Sequence, residues 1–305
     1  MERRGLVCED RAPLTDGLSH EIAAVKHICV TTQALVSCVD TRMGKGWSKG
    51  LSAATDDRVA NAAEAHRGLR YRRGAVASAP FEWTPQLAYA VGLIATDGCL
   101  YGDGRHIAFI SKDEDLMRTL LLLVHRPHIR YRRLESEYGG WAYRAQFSYA
   151  RLWRWLLLVG VMPRKSLVLG GIDVSDDNLM PLVRGLLDGD GTVYTLLHHP
   201  TRKTYKGYTY ERLWTFFHSA SLRHVEWLQT RLNCALRISG YIEKIDREGH
   251  ENPMYRLKYG NRDSRILLPA IYADQSVPRL ERKWRKWAGY AGRHRIALPR
   301  NVMPP

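Results

Sequence analysis

Pro181-Leu182-Val183-Arg184-Gly185-Leu186-Leu187-Asp188-Gly189-Asp190-Gly191 is the stretch whose reading decides the fold. An earlier stretch matches it: Leu87-Ala88-Tyr89-Ala90-Val91-Gly92-Leu93-Ile94-Ala95-Thr96-Asp97-Gly98. Each reads as a short apolar helix that stops at an acid followed by glycine. Laid together, Gly92 falls on Gly185, Leu93 on Leu186, Ile94 on Leu187, Asp97 on Asp190 and Gly98 on Gly191. A unit that recurs 93 residues later predicts two domain-sized halves, each beginning with the same element.

The spacing carries physical content. Gly92 with Thr96, and Gly185 with Gly189, are one helical turn apart and share a face. Small residues so placed let two helix backbones approach closely. The closing glycine is the usual helix terminator. The acid before it occupies the last turn, where the helix dipole disfavours an anion. A divalent cation shared by two carboxylates would offset that placement.

Val183 to Gly191 resembles the LAGLIDADG motif of homing endonucleases, and Ala90 to Gly98 resembles a second copy. The first copy departs from the pattern at Ala95, where the family's first aspartate is often found. The resemblance spans roughly residues 82 to 290. It implies an α+β chain of two pseudo-symmetric αββαββα halves, whose antiparallel sheets form a DNA-binding saddle (the homing endonuclease fold). It further implies that Asp97 and Asp190 lie side by side and hold Mg²⁺ against the scissile phosphates, with the backbone carbonyls of Thr96 and Gly189 as co-ligands. In the family a lysine after the last helix of each half completes the active site. That role is carried onto Lys165 in Met162-Pro163-Arg164-Lys165 and onto Lys283 in Leu280-Glu281-Arg282-Lys283. The activity implied is a metal-dependent double-strand break at a long asymmetric site, made by a monomer. An RNA maturase that assists intron splicing and a non-cleaving DNA-binding regulator would share the scaffold. Retention of both motif acids favours the nuclease.

Composition agrees with a polyanionic partner. The chain of 305 residues has a net charge of +15, which favours nucleic acid first and an anionic membrane second. The resemblance implies that the nucleic acid is double-stranded DNA, with intron RNA as a second partner. No run of 18 apolar residues predicts a membrane span. The five cysteines are scattered without CxxC spacing, so neither a zinc site nor a disulfide framework is expected, which fits a reducing compartment. The expected location is cytoplasmic, at a bacterial nucleoid, or organellar. With no terminal His-Asn pair, an intron-borne or free-standing gene is expected over an intein.

Three regions follow. Residues 1–80 form a basic N-terminal extension ending in Arg70-Tyr71-Arg72-Arg73 and a small-residue linker. Residues 81–175 form the first half. Thr84 and Pro85 supply the N-cap and first position of its motif helix. Strands follow over 99–111, a helix over 113–124, strands over 129–149 and a helix over 150–161. Residues 176–305 repeat the order: a motif helix over 178–190, strands over 192–217, a helix over 221–233, strands over 236–259 and a helix over 264–272. Lys283 to Arg300 reads as a basic tail that clamps the DNA backbone.

The strands are dense in groups suited to phosphates and base edges: Arg132, Arg133, Arg144, Arg202, Lys203, Lys206, Tyr208, Arg212, Arg237, Lys244, Arg256 and Lys258. Ser111 and Ser219 occupy corresponding places, as polar groups near the site or as caps of the next helix. No GxSxG, HExxH or P-loop offers a competing chemistry.

Overall fold

The computed structural model describes residues 81–135, 140–198, 210–246 and 251–298. The extension over residues 1–80, the loop residues Arg202, Lys203, Lys206 and Tyr208, and the chain beyond residue 298 lie outside the described residues.

The first half runs α1 (Pro85–Asp97), β1 (Gly98–Leu100), β2 (His106–Ser111), α2 (Glu114–Leu123), β3 (Tyr131–Glu135), β4 (Trp141–Ser148), α3 (Ala150–Leu158) and a 3-10 turn at Lys165–Leu167. The second runs α4 (Asp176–Asp190), β5 (Thr192–His198), β6 (Tyr210–Ser219), α5 (Leu222–Leu236), β7 (Tyr241–Ile245), β8 (Met254–Tyr259), α6 (Asn261–Ile271) and α7 (Glu281–Arg293). This is the α+β fold of two αββαββα halves expected from the duplicated motif. Both four-stranded sheets are antiparallel and share one strand order, β1-β2-β4-β3 and β5-β6-β8-β7.

Helix α1 starts as its sequence dictates. Thr84 is the N-cap, its Oγ1 accepts the Leu87 N–H at 3.1 Å, and Pro85 follows. The helix is apolar nearly all round because it packs on its own sheet and against α4, the most extensive helix contact among the described residues. A Cβ on Gly92 would stand 2.8 Å from the Gly185 Cα, and one on Gly185 would stand 2.9 Å from the Gly92 Cα. The two backbones therefore touch, as the small-residue spacing predicted. The core is continuous across this pair, with Leu93, Ile94, Leu186 and Leu187 in one buried cluster with both sheets.

Gly98 and Gly191 close their helices as expected, and they do so in extended backbone, with φ angles of −88° and −87°. Glycine is needed there for space. The chain turns straight into a strand, and a Cβ would meet Ile94 Cγ2 or Leu187 Cδ1 at 2.7 Å. The basic tail is structured. Lys283 to Arg293 belongs to α7, which buries Trp284, Trp287, Tyr290 and Ala291 on one stripe and exposes Arg285 and Lys286.

Candidate active site

The paired helices bring Asp97 and Asp190 to the same end of the molecule, each as the last residue of its helix. Burial, and next the Asp190 charge, push the Asp97 carboxyl well above the ordinary carboxylate range, while Lys283 and Lys165 pull it down. The four sequence-selected groups thus form one electrostatic cluster. Gly189 packs so tightly here that a Cβ would stand 2.7 Å from Thr96 Cβ and 3.1 Å from Asp97 Oδ2.

Both lysines are almost wholly buried, Lys165 at 7% exposure and Lys283 at 4%. The Lys165 ammonium donates to the Gly98 carbonyl, just beyond the first acid. The Lys283 ammonium donates to the carbonyls of Leu187, Asp188 and Gly189 at 2.7, 2.8 and 3.0 Å. A cation on the C-terminal carbonyls offsets the dipole that disfavours Asp190. Burial, then the adjacent Arg282, lower Lys283 to about 8.

The donor set fits magnesium. Among the described residues no three His, Cys, Asp or Glu side chains converge. A cation here would draw on two carboxylates and complete its shell from carbonyl, water and phosphate oxygens, the habit of magnesium. The crowding of Asp97 by Asp190 is the charge imbalance that such an ion relieves. The Gly189 carbonyl already accepts from Lys283, and its second lone pair remains.

The sheets sort the candidate DNA contacts. Neighbouring strand residues face opposite ways, so Arg132 and Arg133 cannot share a face. Arg132 pairs across β3–β4 with Arg144 on the face away from the helices. There Arg144 is buried and donates to the Tyr101 hydroxyl at 2.6 Å and to Gln146 Oε1 at 3.2 Å. Arg133 has the opposite parity and lies 4.7 Å over the Trp141 ring. In the second sheet Arg212, Arg256 and Lys258 share the outer face with Trp214 and Phe216. Arg212 lies 5.7 Å over the Trp214 ring, Arg256 lies 5.0 Å over Phe216, and Lys258 stands 6.0 Å over Phe216. Lys244 pairs with Tyr255 on the helix-facing parity and forms an ion pair with Asp246 at 3.0 Å. Arg237 is not on a strand, because α5 runs on to Leu236 and Arg237 caps it at φ 55°. Strand alternation alone could have separated Arg132 from Arg133.

Three residues escaped the sequence reading: His218, Arg184 and Asp188. His218, on the outer face of β6, places Nδ1 3.0 Å from the Asp190 carbonyl. Beside it a cavity of about 30 Å³, room for a water molecule, is lined by Thr96, Asp190, His218 and Ser219. Ser111 and Ser219 each accept the N–H two residues on, from Asp113 and Ser221, both at 3.1 Å. They shape the turn into the next helix without occupying its N-cap. Arg184 and Asp188 are buried within the motif helix itself. Their signal was visible, because charges inside an apolar helix need buried partners.

No protein-family model and no curated protein matches the sequence. Solved structures do match. Among those the chain resembles are LAGLIDADG homing endonucleases. One is a mesophilic variant of the homing endonuclease I-DmoI, at 18% identity over 66% of this chain and 95% of that chain, with a TM-score of 0.42. Another is the meganuclease I-SmaMI bound to uncleaveable DNA, at 15% identity over 71% of this chain and 91% of that chain, with a TM-score of 0.46. Full-length DUF199/WhiA from Thermatoga maritima also matches, at 15% identity over 70% of this chain and 63% of that chain, with a TM-score of 0.40. The likeness is distant and is one of fold.

Proposed function

We propose that the protein is a site-specific DNA endonuclease of the homing type, cutting both strands with Mg²⁺. The observation that carries this reading is the convergence of Asp97 and Asp190 from two touching helices, with two buried lysines directed at the ends of the same helices. Structural likeness to homing endonucleases points the same way for fold only.

Hydrolysis of a phosphodiester adds a water oxygen to phosphorus, breaks one P–O ester bond, and passes a proton to the leaving oxygen. Asp97 and Asp190, with the Thr96 and Gly189 carbonyls, would hold the metal, which supplies charge neutralisation at phosphorus and activation of water. Lys165 and Lys283 keep positive charge beside the acids, where negative charge builds on the phosphate. The outer sheet faces would present Arg132, Arg212, Arg256 and Lys258 to the duplex, with Trp214 and Phe216 lying against the last three and Glu243 also pairing Arg256. Two non-identical halves imply an asymmetric target.

The test is incubation of a randomised duplex library with Mg²⁺, and in parallel with EDTA. A recovered site cut only with metal supports the nuclease. Selective binding of a duplex without cutting would favour a regulator, and tight binding of structured intron RNA would favour a maturase.

A further inference from the structure

Arg184 stands in the middle of the apolar motif helix α4 and is 1% exposed. Its guanidinium reaches the segment between α6 and α7. Nε and Nη2 donate to the Ile271 carbonyl at 2.8 and 2.6 Å, Nη2 donates to the Asp274 carbonyl at 2.8 Å, and Nη1 donates to the Val277 carbonyl at 2.6 Å. One turn later the Asp188 carboxylate accepts the Leu280 N–H at 2.8 Å. Two side chains of one helix thus fasten residues 271–280 along it. The fastened segment leads directly into α7, whose first turn carries Lys283. Arg282 is pinned separately, by a two-pronged pair with Asp113 of the other half at 2.9 and 2.9 Å.

The first half is built differently. Val91 and Ala95 occupy the places of Arg184 and Asp188, and both are buried and apolar. The segment after Lys165 is held from the opposite half. Ser221 Oγ donates to the Leu169 carbonyl at 2.6 Å, and His224 Nδ1 donates to the Gly170 carbonyl at 2.8 Å. The two lysines therefore depend on unlike supports.

We propose that Arg184, together with the Asp113–Arg282 pair, is a positioning residue for Lys283 and so governs cleavage of one DNA strand and not the other. This rests on the nuclease reading. Arginine serves because its planar fork carries five N–H donors and reaches carbonyls at both ends of the segment at once. A lysine there keeps the buried charge but gathers its three donors on one nitrogen, so the segment loses its outer attachments.

The experiment uses the duplex recovered from the library, labelled on each strand in turn, and measures single-turnover cleavage of each strand. Lys283→Met and Lys165→Met identify the strand that each lysine serves. Arg184→Lys is expected to slow the Lys283 strand by about tenfold to a hundredfold, leave the Lys165 strand within about twofold, and leave DNA affinity unchanged. Nicked product should accumulate. Equal slowing of both strands, or selective slowing of the Lys165 strand, overturns the inference while leaving the nuclease intact. If circular dichroism shows Arg184→Lys unfolded, Asp113→Asn must give the same strand bias, and its absence there overturns the inference. A wild-type protein that cuts neither strand removes the nuclease reading and this inference with it.

Discussion

Replacing Gly185 by alanine tests whether the helix pair is the element on which the site is built. The new Cβ would stand 2.9 Å from the Gly92 Cα and 3.1 Å from the Leu93 N, closer still to the Tyr89 carbonyl. Carbon–carbon contacts are comfortable from about 3.5 Å, so α1 and α4 must part by roughly 0.6 Å or more. Every clashing atom is backbone, so no side chain can swing away. Overpacking of this kind costs about 1–3 kcal/mol. The intrinsic preference of alanine over glycine in a helix returns at most about 1 kcal/mol. With backbone on one side and backbone on the other, the upper end of the cost applies, and a net loss of about 2 kcal/mol is expected. For a unit of this size that lowers the melting temperature by about 4–8 °C. The control is Gly292→Ala in α7, where an added Cβ meets nothing within 4 Å. It should leave stability unchanged or raise it by less than about 1 kcal/mol. Urea unfolding followed by circular dichroism measures both. A Gly185→Ala protein as stable as Gly292→Ala would refute the close approach of the helices and, with it, the juxtaposition of Asp97 and Asp190.

Four further outcomes are expected. Asp97→Asn and Asp190→Asn should each abolish cleavage while DNA binding persists, and retained cutting of both strands by either variant would remove the acids from their roles. The folded-state pKa of Asp97 is raised, so its charge costs stability above the unfolded carboxylate pKa, and Asp97→Asn should melt higher than wild type at pH 7. Burial holds His224 at about 4 against an ordinary value near 6.5, so the unfolded chain takes up its proton first as pH falls. Stability should drop by about 3 kcal/mol between pH 6.5 and pH 4 from this group, and His224→Asn, which keeps a donor for the Gly170 carbonyl, should flatten that part of the urea-midpoint profile. Lys258→Ala should lower the slope of log affinity against log salt by about 0.9, whereas Lys244→Ala, on the helix-facing parity beside Asp246, should leave it unchanged, as fluorescence titration at several salt concentrations would show.

What the sequence reveals about this molecule depends on whether the information is local. The motif helices were legible because their signals lie within one helical turn: Gly92 to Thr96, Gly185 to Gly189, and the acid–glycine stop. The doubled spacing then gave the two halves and the shared succession of helices and strands along each. The lysines were legible only through likeness to a family, because Lys165 and Lys283 reach the helix ends across 67 and 96 residues of chain. The helix within the basic tail was missed for another reason. Counting its positive charge hid the apolar stripe of Trp284, Trp287 and Ala291, which outweighs the charge once there is a core to bury it against. Arg237 was misplaced because a helix end is decided by capping geometry, and α5 ran three residues past the point where its apolar pattern weakened. Arg184 is the most instructive case. In sequence it looks like a single polar interruption in an apolar helix. Its partners are the carbonyls of Ile271, Asp274 and Val277, which carry no side-chain signature and become visible only when the backbone folds back along α4. A buried charge in a motif is thus a reliable sign that a backbone segment must come to meet it, even when the sequence cannot say which one.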